Sequence, residues 1–323
     1  MQSGENVLQR YLKLCPYGCL LLDGALSTEL ERRGYPLDSL LWSAKVPQEA
    51  PALLRTVHLD YLRAGADIIT TASYQGTLPG FRRAGYSAAE GRSLLRRAVE
   101  IAREARDVFS VELDTLGDGT RLRPLVAASV GSYGAYLADG SEYRGDYRLE
   151  ERELKEFHRE RLLCLCEAGP ELLALETLPS FAEIRALAEL LKEEKPGLPV
   201  WFSLSCRSAS LLADGTPVRQ VGAWLAQTGL PAAVGINCVP PAWGKALLGE
   251  LRAQSDLPLL IYPNAGESFD TKTASWRGVR STLAERADEW RAAGAQVIGG
   301  CCRTRPSDIR GLYSWRRRLT AKA

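Results

Sequence analysis

Three cysteines are the residues of this chain best suited to chemistry. Cys238 ends the apolar run 233–238, and Cys301 and Cys302 end the apolar run 297–302. Each run is short and rich in β-branched residues, which predicts a buried strand that stops at a thiol. Two strands that deliver three thiols from their carboxyl ends can build a metal site with one position left open. Such an open site is typical of catalytic zinc rather than structural zinc.

The alternative for these thiols is a place in the core, because free cysteine often packs as a small hydrophobic side chain. For Cys238 alone, that alternative is the more common outcome. The adjacent pair favours a metal site. Neighbouring strand residues point to opposite faces, so Cys301 and Cys302 reach one metal only where the strand opens into a loop. Gly299 and Gly300 leave room for that approach. A vicinal disulfide would form if the metal were lost and the thiols oxidised.

An open zinc site can activate a substrate thiol. Zinc prefers thiolate ligands and deprotonates a thiol that binds to it. A free thiol with a pKa of about 8.5 is only a few per cent ionised near pH 7. A substrate thiol in the fourth position would therefore be held as a nucleophilic thiolate.

Eight apolar segments alternate with helical ones, which implies parallel strands joined by helical crossovers. This count predicts a single (β/α)8 barrel of the TIM type. An open doubly wound sheet is the alternative, and the first strand lacks the Gly-x-Gly-x-x-Gly turn of that fold. Glycines at 65, 169 and 294 are predicted to end helices in the left-handed conformation. The predicted strands are Cys19–Asp23, Asp67–Ser73, Leu125–Val130, Leu172–Thr177, Val200–Ser205, Ala233–Cys238, Leu259–Pro263 and Gln296–Cys301. The predicted helices are Pro47–Ala64, Ala88–Phe109, Leu149–Ala168, Phe181–Lys195 and Thr282–Ala293.

Polar residues gather where these strands end, which is where a barrel carries its active site. Asp23 and Glu176 are two such residues, and a pair of carboxylates suits the binding of an α-ammonium group. For Asp23 the alternative is a turn, because Asp-Gly is a turn signal. Glu176 follows an apolar run, and an unpaired buried carboxylate is costly. Two longer irregular stretches, 129–147 and 263–279, would lie on the same face.

Composition narrows the remaining possibilities. The 323 residues are 46% hydrophobic, enough for one domain spanning 1–323 with its core at about 15–315. With 41 basic and 39 acidic residues the chain has no basic stripe, so nucleic acid is not expected as a partner. No apolar stretch approaches the roughly 20 residues that span a bilayer, and the first residues lack a signal-peptide pattern. We therefore expect a cytoplasmic protein without a membrane partner, in which thiols stay reduced.

The other cysteines and the histidines carry weaker signals. Residues two apart on a helix do not face each other, so the cysteines at 164 and 166 are predicted to be core. Those at 15 and 19 bracket a turn, and no partner pair follows for zinc. Cys206 is not predicted to be a ligand. The histidines, His58 and His158, fall in helices and are predicted to be surface or packing residues.

The motifs together resemble one family, the homocysteine S-methyltransferases that use S-methylmethionine or S-adenosylmethionine as methyl donor. The resemblance extends from Leu20 to about Leu312. The combination of the Cys238 motif with the Cys301-Cys302 motif is highly specific for this family. One departure is Ser132, where close relatives have proline, in a loop on the donor side. The matching stretches are 21–30, 41–44, 71–75, 134–147, 176–179, 235–238, 262–264 and 299–304.

The resemblance implies a role for each matching site residue. The three cysteines would bind Zn²⁺. Tyr74 would lie near the reacting sulfur or the donor, and Asn264 would occupy the zinc when substrate is absent. The amino acid end of homocysteine would be held by Asp23, Gly24, Ala25 and Glu176. The related betaine-using enzymes carry a C-terminal oligomerisation arm that this chain lacks, so we expect a monomer or a weak homo-oligomer.

These residues predict direct methyl transfer that yields methionine. The zinc-activated homocysteine thiolate would attack the methyl carbon of a sulfonium donor, whose neutral thioether departs without acid catalysis. This accounts for the lack of an evident general base. One alternative is methyl transfer to a thiol or selenol from betaine or another donor. The other is a non-catalytic protein with a three-cysteine zinc site, although such a site would not need Asp23, Glu176 and Tyr74.

Overall fold

A computed structural model of the chain describes residues 5–37, 41–117, 120–270 and 275–319. Within these ranges the strands are β1 (Leu20–Leu21), β2 (Ile68–Thr70), β3 (Leu125–Gly131), β4 (Leu172–Leu178), β5 (Val200–Leu204), β6 (Ala233–Asn237), β7 (Leu259–Tyr262), β8 (Ser268–Asp270), β9 (Ser275–Arg277) and β10 (Ala295–Ile298).

Helices separate these strands and cover the outside of the sheet. Three short 3₁₀ helices occupy Trp42–Lys45, Ser141–Tyr143 and Pro241–Trp243. The α-helices are α1 (Val7–Leu14), α2 (Leu26–Arg32), α3 (Val46–Glu49), α4 (Pro51–Ala64), α5 (Leu78–Arg83), α6 (Ala88–Leu116), α7 (Tyr133–Leu137), α8 (Glu151–Glu167), α9 (Phe181–Glu194), α10 (Val218–Thr228), α11 (Gly244–Arg252), α12 (Leu283–Ala292) and α13 (Pro306–Arg317).

Eight strands form one parallel sheet in the order β1-β10-β7-β6-β5-β4-β3-β2. The two ends of this order also meet. Leu22 forms a parallel bridge with Ile68, and the Asp23 amide donates to the Ile68 carbonyl at 3.0 Å. The sheet is therefore closed, which confirms the predicted TIM-type barrel and excludes the open doubly wound sheet. The remaining strands, β8 and β9, pair as a separate antiparallel hairpin within the stretch predicted to be irregular.

The first helix closes one end of the barrel. Leu8, Tyr11 and Leu12 of α1 pack in one cluster with alternate residues of the strands, among them Leu125 and Leu172 at strand starts. Parallel strands share their direction, so α1 covers the amino-terminal end. The carboxyl-terminal end, where the predicted site residues lie, is left accessible. The sequence did not predict this helix.

Several element boundaries differ from those predicted. The segment predicted as one helix, Pro47–Ala64, is two, because Ala50 adopts an extended φ of −145° before Pro51. A residue that precedes proline is pushed out of the helical region, so the chain starts a new helix there. The predicted helix caps are confirmed: the glycines at 65, 169 and 294 all have positive φ. In the part of the chain that the structure describes, no helix is long and apolar enough to cross a membrane.

His58 is predicted to make the fold sensitive to acid. Its ring lies fully buried in α4, and neither ring nitrogen has a hydrogen-bond partner among the described residues. Burial lowers the pKa of His58 from 6.5 to about 4. The unfolded chain therefore binds a proton that the folded chain rejects, and stability falls as the pH drops from 6.5 towards 4.

The expected cost at about pH 5 is roughly 2 kcal/mol relative to pH 7 from this one group. His58→Phe keeps a ring of similar volume without a titrating nitrogen, so we expect its free energy of unfolding to fall less between these pH values. Urea titrations of both proteins at each pH measure the difference. Identical losses in wild type and variant would show that His58 does not titrate with unfolding.

Candidate metal and substrate site

A cavity of about 410 Å³ lies at the carboxyl ends of the barrel strands. Eight of the nine predicted site residues line it. The exception is Asn264, which is buried but is not among the lining residues. The structure thus brings together residues that are distant in the chain, namely Asp23, Gly24, Ala25, Tyr74, Glu176, Cys238, Cys301 and Cys302.

The three predicted thiols form a cluster in this cavity. The Sγ atoms of Cys238, Cys301 and Cys302 all lie within 4.8 Å of one another, and those of Cys238 and Cys302 are 3.5 Å apart. Two sulfurs bonded to one tetrahedral zinc at about 2.3 Å would be roughly 3.8 Å apart. All eight cysteines are free thiols, so no vicinal disulfide joins Cys301 to Cys302. The donor set and its spacing fit one tetrahedral metal ion with an open position.

The backbone turns sharply to aim these thiols. Cys238 has a φ of 55° and Arg303, which follows the cysteine pair, has a φ of 68°. Side chains other than glycine rarely adopt this left-handed conformation, and it concentrates at functional sites. A Cβ atom on Gly299 would approach the Leu22 Cβ to 2.6 Å, and one on Gly300 would approach Thr304 Oγ1 to 2.5 Å. The two glycines therefore allow the chain before the cysteine pair to pack closely against Leu22 and Thr304.

Asn237 connects the strand that carries Cys238 to its neighbours. Its Oδ1 accepts from the Thr177 amide at 2.9 Å and from the Ser203 hydroxyl at 2.8 Å, and its Nδ2 donates to Thr177 Oγ1 at 2.7 Å. Nδ2 also lies 3.9 Å from Cys301 Sγ. Thr177 is itself in the left-handed conformation, with a φ of 56°. Sequence reasoning assigned Asn237 no role, although its position directly before Cys238 was a usable signal.

The two predicted carboxylates are buried in the same cavity. The Thr70 amide donates to Asp23 Oδ2 at 2.8 Å, and the Ser129 hydroxyl donates to Glu176. Burial raises the pKa of both carboxyl groups, and the neighbouring charge of Glu176 raises that of Asp23 further. Burial disfavours the charged form of each carboxyl group, and a cation bound between the two would stabilise that charged form. The hydroxyl partners, Thr70 and Ser129, were assigned no role from the sequence.

The main chain of Gly24 and Ala25 forms part of the cavity wall. A Cβ on Gly24 would come within 2.7 Å of Thr304 Oγ1 and within 2.9 Å of the Tyr61 ring. The Ala25 amide donates to Thr304 Oγ1 at 3.1 Å, and its carbonyl accepts from the Tyr61 hydroxyl at 3.0 Å. These contacts fix the residues between β1 and α2 against the segment that follows Cys302.

The chain is similar to known proteins over most of its length. The homocysteine S-methyltransferase family model matches residues 20–315. The chain belongs to this family. It is 46% identical over 317 residues to homocysteine S-methyltransferase YbgG of Bacillus subtilis, covering 97% of this chain and 99% of that one. It is 50% identical over 296 residues to homocysteine S-methyltransferase of Escherichia coli, covering 91% and 94%. The metallated form of the Escherichia coli homocysteine methyltransferase MmuM superposes with a TM-score of 0.82 at 48% identity, over 92% of this chain and 96% of that one.

Membership confirms the resemblance seen in the sequence. The protein is a homocysteine S-methyltransferase by family, and that family uses homocysteine and a methyl donor as substrates. The metallated relative and the three-thiol cluster together indicate a metal in this site.

The site also contains loop residues that the sequence did not single out. The Tyr143 hydroxyl lies 3.5 Å from Cys238 Sγ, and Glu142 and Trp42 line the cavity. Ser132, the departure from the family pattern, caps α7 by accepting from the Ala135 amide at 3.3 Å. The only sequence signal for Glu142 and Tyr143 was their place in the matching stretch 134–147.

Proposed function

We propose that this protein transfers a methyl group from a sulfonium donor to the sulfur of homocysteine, with Zn²⁺ held by Cys238, Cys301 and Cys302. The observation that carries the proposal is the shared cavity: three clustered thiols and two buried carboxylates face one space of about 410 Å³. A thiol-bearing amino acid can place its sulfur at the three thiols and its ammonium group at the two carboxylates. Three thiolates with an open position are the donor set of catalytic zinc.

The carboxylates would bind the amino acid end of homocysteine. Asp23 and Glu176 are charged when an ammonium group lies between them, and Thr70 and Ser129 hold them in place by hydrogen bonds. The main chain of Gly24 and Ala25 lines the cavity beside these carboxylates, where the amino acid end would bind. Bound in this way, the substrate points its sulfur towards the cysteine cluster. Such positioning removes the entropy of bringing two reactants together, a large part of the barrier in bimolecular reactions.

Bound zinc supplies thiol activation, because it lowers the pKa of a thiol in its fourth position. In the transfer itself, a sulfur lone pair of homocysteine forms the new S–C bond. The C–S bond of the donor breaks, and its electron pair leaves with a neutral thioether. The thiol proton passes to solvent, so no general acid or base is needed from the chain. With S-methylmethionine as donor, both products are methionine.

We also propose that Asn264 occupies the zinc when homocysteine is absent. Its Oδ1 is buried without a hydrogen-bond partner in the described part of the chain. The Asn264 amide donates to the Val239 carbonyl, and the next amide, that of Ala265, donates to the Cys302 carbonyl, each at 3.0 Å. Asn264 thus lies between the segments that carry two of the thiols. An unpaired amide oxygen there suits a ligand that yields to homocysteine.

The size of the cavity and the state of the cysteines bear on the donor and on the location. The cavity is near the lower end of the usual size range for small-molecule pockets, which favours S-methylmethionine over the bulkier S-adenosylmethionine. A cytoplasmic location is consistent with eight free cysteines, since disulfides are rare there. A single domain over residues 1–323 and a monomer or weak homo-oligomer stay predictions.

The direct test is methionine formation from homocysteine by zinc-loaded protein, with S-methylmethionine and S-adenosylmethionine supplied separately. We expect methionine with S-methylmethionine, a lower rate with S-adenosylmethionine, and no product after treatment with a chelator. Absence of methionine with both donors, at verified zinc content, would refute the proposed reaction.

A further inference from the structure

One side of the cavity wall is formed by Trp42, Tyr74 and Glu142, which we call the aromatic-acid wall. Of these three residues, only Tyr74 has a predicted role, near the reacting sulfur or the donor. The rings of Trp42 and Tyr74 meet edge to face, with centroids 6.3 Å apart. Tyr74 follows β2, Glu142 lies in the loop after β3, and Trp42 begins a 3₁₀ helix. Three separate segments therefore converge on this side of the cavity.

Glu142 is the unusual member of this wall. Its Oε2 atom is buried and has no hydrogen-bond partner among the described residues. The nearby Arg144 pairs instead with Asp139 and Asp146, at 3.6 and 3.2 Å. Burial raises the pKa of Glu142 from 4.5 to about 7. A carboxylate oxygen kept from water without a partner is costly, so a cation in the cavity would stabilise it.

The loop holds Glu142 firmly beside the reacting centre. The next residue, Tyr143, places its hydroxyl 3.5 Å from Cys238 Sγ. The main chain of Glu142 packs against Gly134, where an added Cβ would approach the Glu142 amide nitrogen to 2.5 Å. The Arg144 guanidinium closes the loop by donating to the Ser141 hydroxyl at 3.0 Å and to the Asp139 carbonyl at 2.9 Å. The position of the carboxylate is therefore set by the fold of the loop.

We propose that Glu142, with the rings of Trp42 and Tyr74, binds the sulfonium centre of the methyl donor and selects the charged donor over its neutral thioether product. This inference rests on the proposed function and adds a donor subsite to it. A sulfonium carries a permanent charge but no N–H or O–H group. It is attracted by a carboxylate and by aromatic faces, as quaternary ammonium groups are, and it cannot donate a conventional N–H or O–H hydrogen bond.

The chemistry of the reaction gives this subsite a second consequence. When the methyl group leaves, the sulfonium becomes a neutral thioether and loses its attraction to the carboxylate. The positive charge of the sulfonium therefore favours binding of the donor, and the loss of that charge favours release of the product. In the proposed complex the carboxylates of Asp23 and Glu176 are already occupied by the ammonium group of homocysteine. Two further acids line the cavity, Glu31 and Glu142. Glu31 is exposed to solvent, whereas Glu142 holds a buried, unpartnered oxygen, so Glu142 is the acid that gains most from the second cation.

The test compares Glu142→Gln with Glu189→Gln, the same substitution at an exposed position of α9, outside the loop. Two quantities are measured on zinc-loaded protein. Steady-state kinetics give the KM values for S-methylmethionine and for homocysteine. Calorimetry without homocysteine gives the dissociation constants of S-methylmethionine and of methionine, which differ by the methyl group and its charge.

For Glu142→Gln we expect the KM for S-methylmethionine to rise by about 10- to 100-fold, the range for losing one charged contact in a partly buried site. The KM for homocysteine and the zinc content should stay as in wild type. The preference for S-methylmethionine over methionine should fall by a similar factor. Glu189→Gln should match wild type in every measurement, and Glu142→Asp, which keeps the charge, should recover part of the loss.

Unchanged donor affinity in Glu142→Gln would overturn the inference, and so would a parallel loss for methionine and S-methylmethionine. If Glu142→Gln does not fold, Trp42→Leu tests the aromatic half of the same subsite by the same affinity ratio. The two proposals fail separately. A wild-type protein that prefers the sulfonium but makes no methionine would contradict the reaction alone, whereas normal turnover with unchanged selectivity in Glu142→Gln would contradict the subsite alone.

Discussion

Cys302→Ala is expected to abolish stable zinc binding and to lower methyl transfer by more than about a hundredfold. Mutation of a residue that only orients a metal ligand already costs about 10- to 100-fold in metal affinity or activity, and loss of the ligand itself should cost more. Only three thiols meet in the cavity, and a site that already has an open position cannot retain the metal with two. Zinc content after dialysis and the rate of methionine formation are the two measurements.

Cys206→Ala is the matched control for that experiment. Cys206 is also a free, half-buried cysteine that follows a barrel strand, but it lies outside the thiol cluster. We expect this variant to keep its zinc and its activity. Full zinc content and full activity in Cys302→Ala would remove Cys302 from the proposed ligand set. Equal losses in both variants would point to a general effect of removing a buried thiol.

Glu176→Gln is expected to raise the KM for homocysteine by roughly 100-fold, because losing one member of a buried charge pair costs about 2–5 kcal/mol. The amide keeps the shape of the side chain, and its oxygen can still accept from the Ser129 hydroxyl. What it loses is the charge that faces the ammonium group. Zinc content should not change, because Glu176 is not a proposed ligand.

The control for this variant is Glu189→Gln, which removes the same charge from the exposed face of α9, the helix that follows β4. It should behave as wild type. Steady-state kinetics with homocysteine varied at a fixed high concentration of donor give the comparison. A normal KM for homocysteine in Glu176→Gln would show that this carboxylate does not bind the amino acid end.

The barrel and the thiol cluster could be predicted from the sequence because both depend on local patterns of residues. Apolar runs mark the strands, and a run that stops at Cys238 or at Cys301 and Cys302 also places the thiol at a strand end. In a closed parallel sheet all such ends meet on one face, so residues 60 or more apart come together without further information. The same reasoning placed Asp23 and Glu176 in the cavity.

Other parts of the site depend on tertiary contacts that no local pattern reports. The Asn237 side chain links Thr177 to Ser203 across three strands, and this is visible only once the sheet register is known. Glu142 and Trp42 reach the cavity through loops, whose course is set by packing rather than by periodicity. Asn264 is buried and is not among the residues that line the cavity, so its role at the zinc stays a prediction.

X-ray absorption at the zinc edge, recorded for zinc-loaded protein with and without homocysteine, tests the central claim most directly. The account predicts about three sulfur neighbours at roughly 2.3 Å in the free protein and a fourth when homocysteine is added. The change should be lost when homocysteine is replaced by methionine, which has no thiol to offer. A sulfur count that does not respond to homocysteine would contradict thiol activation in this site.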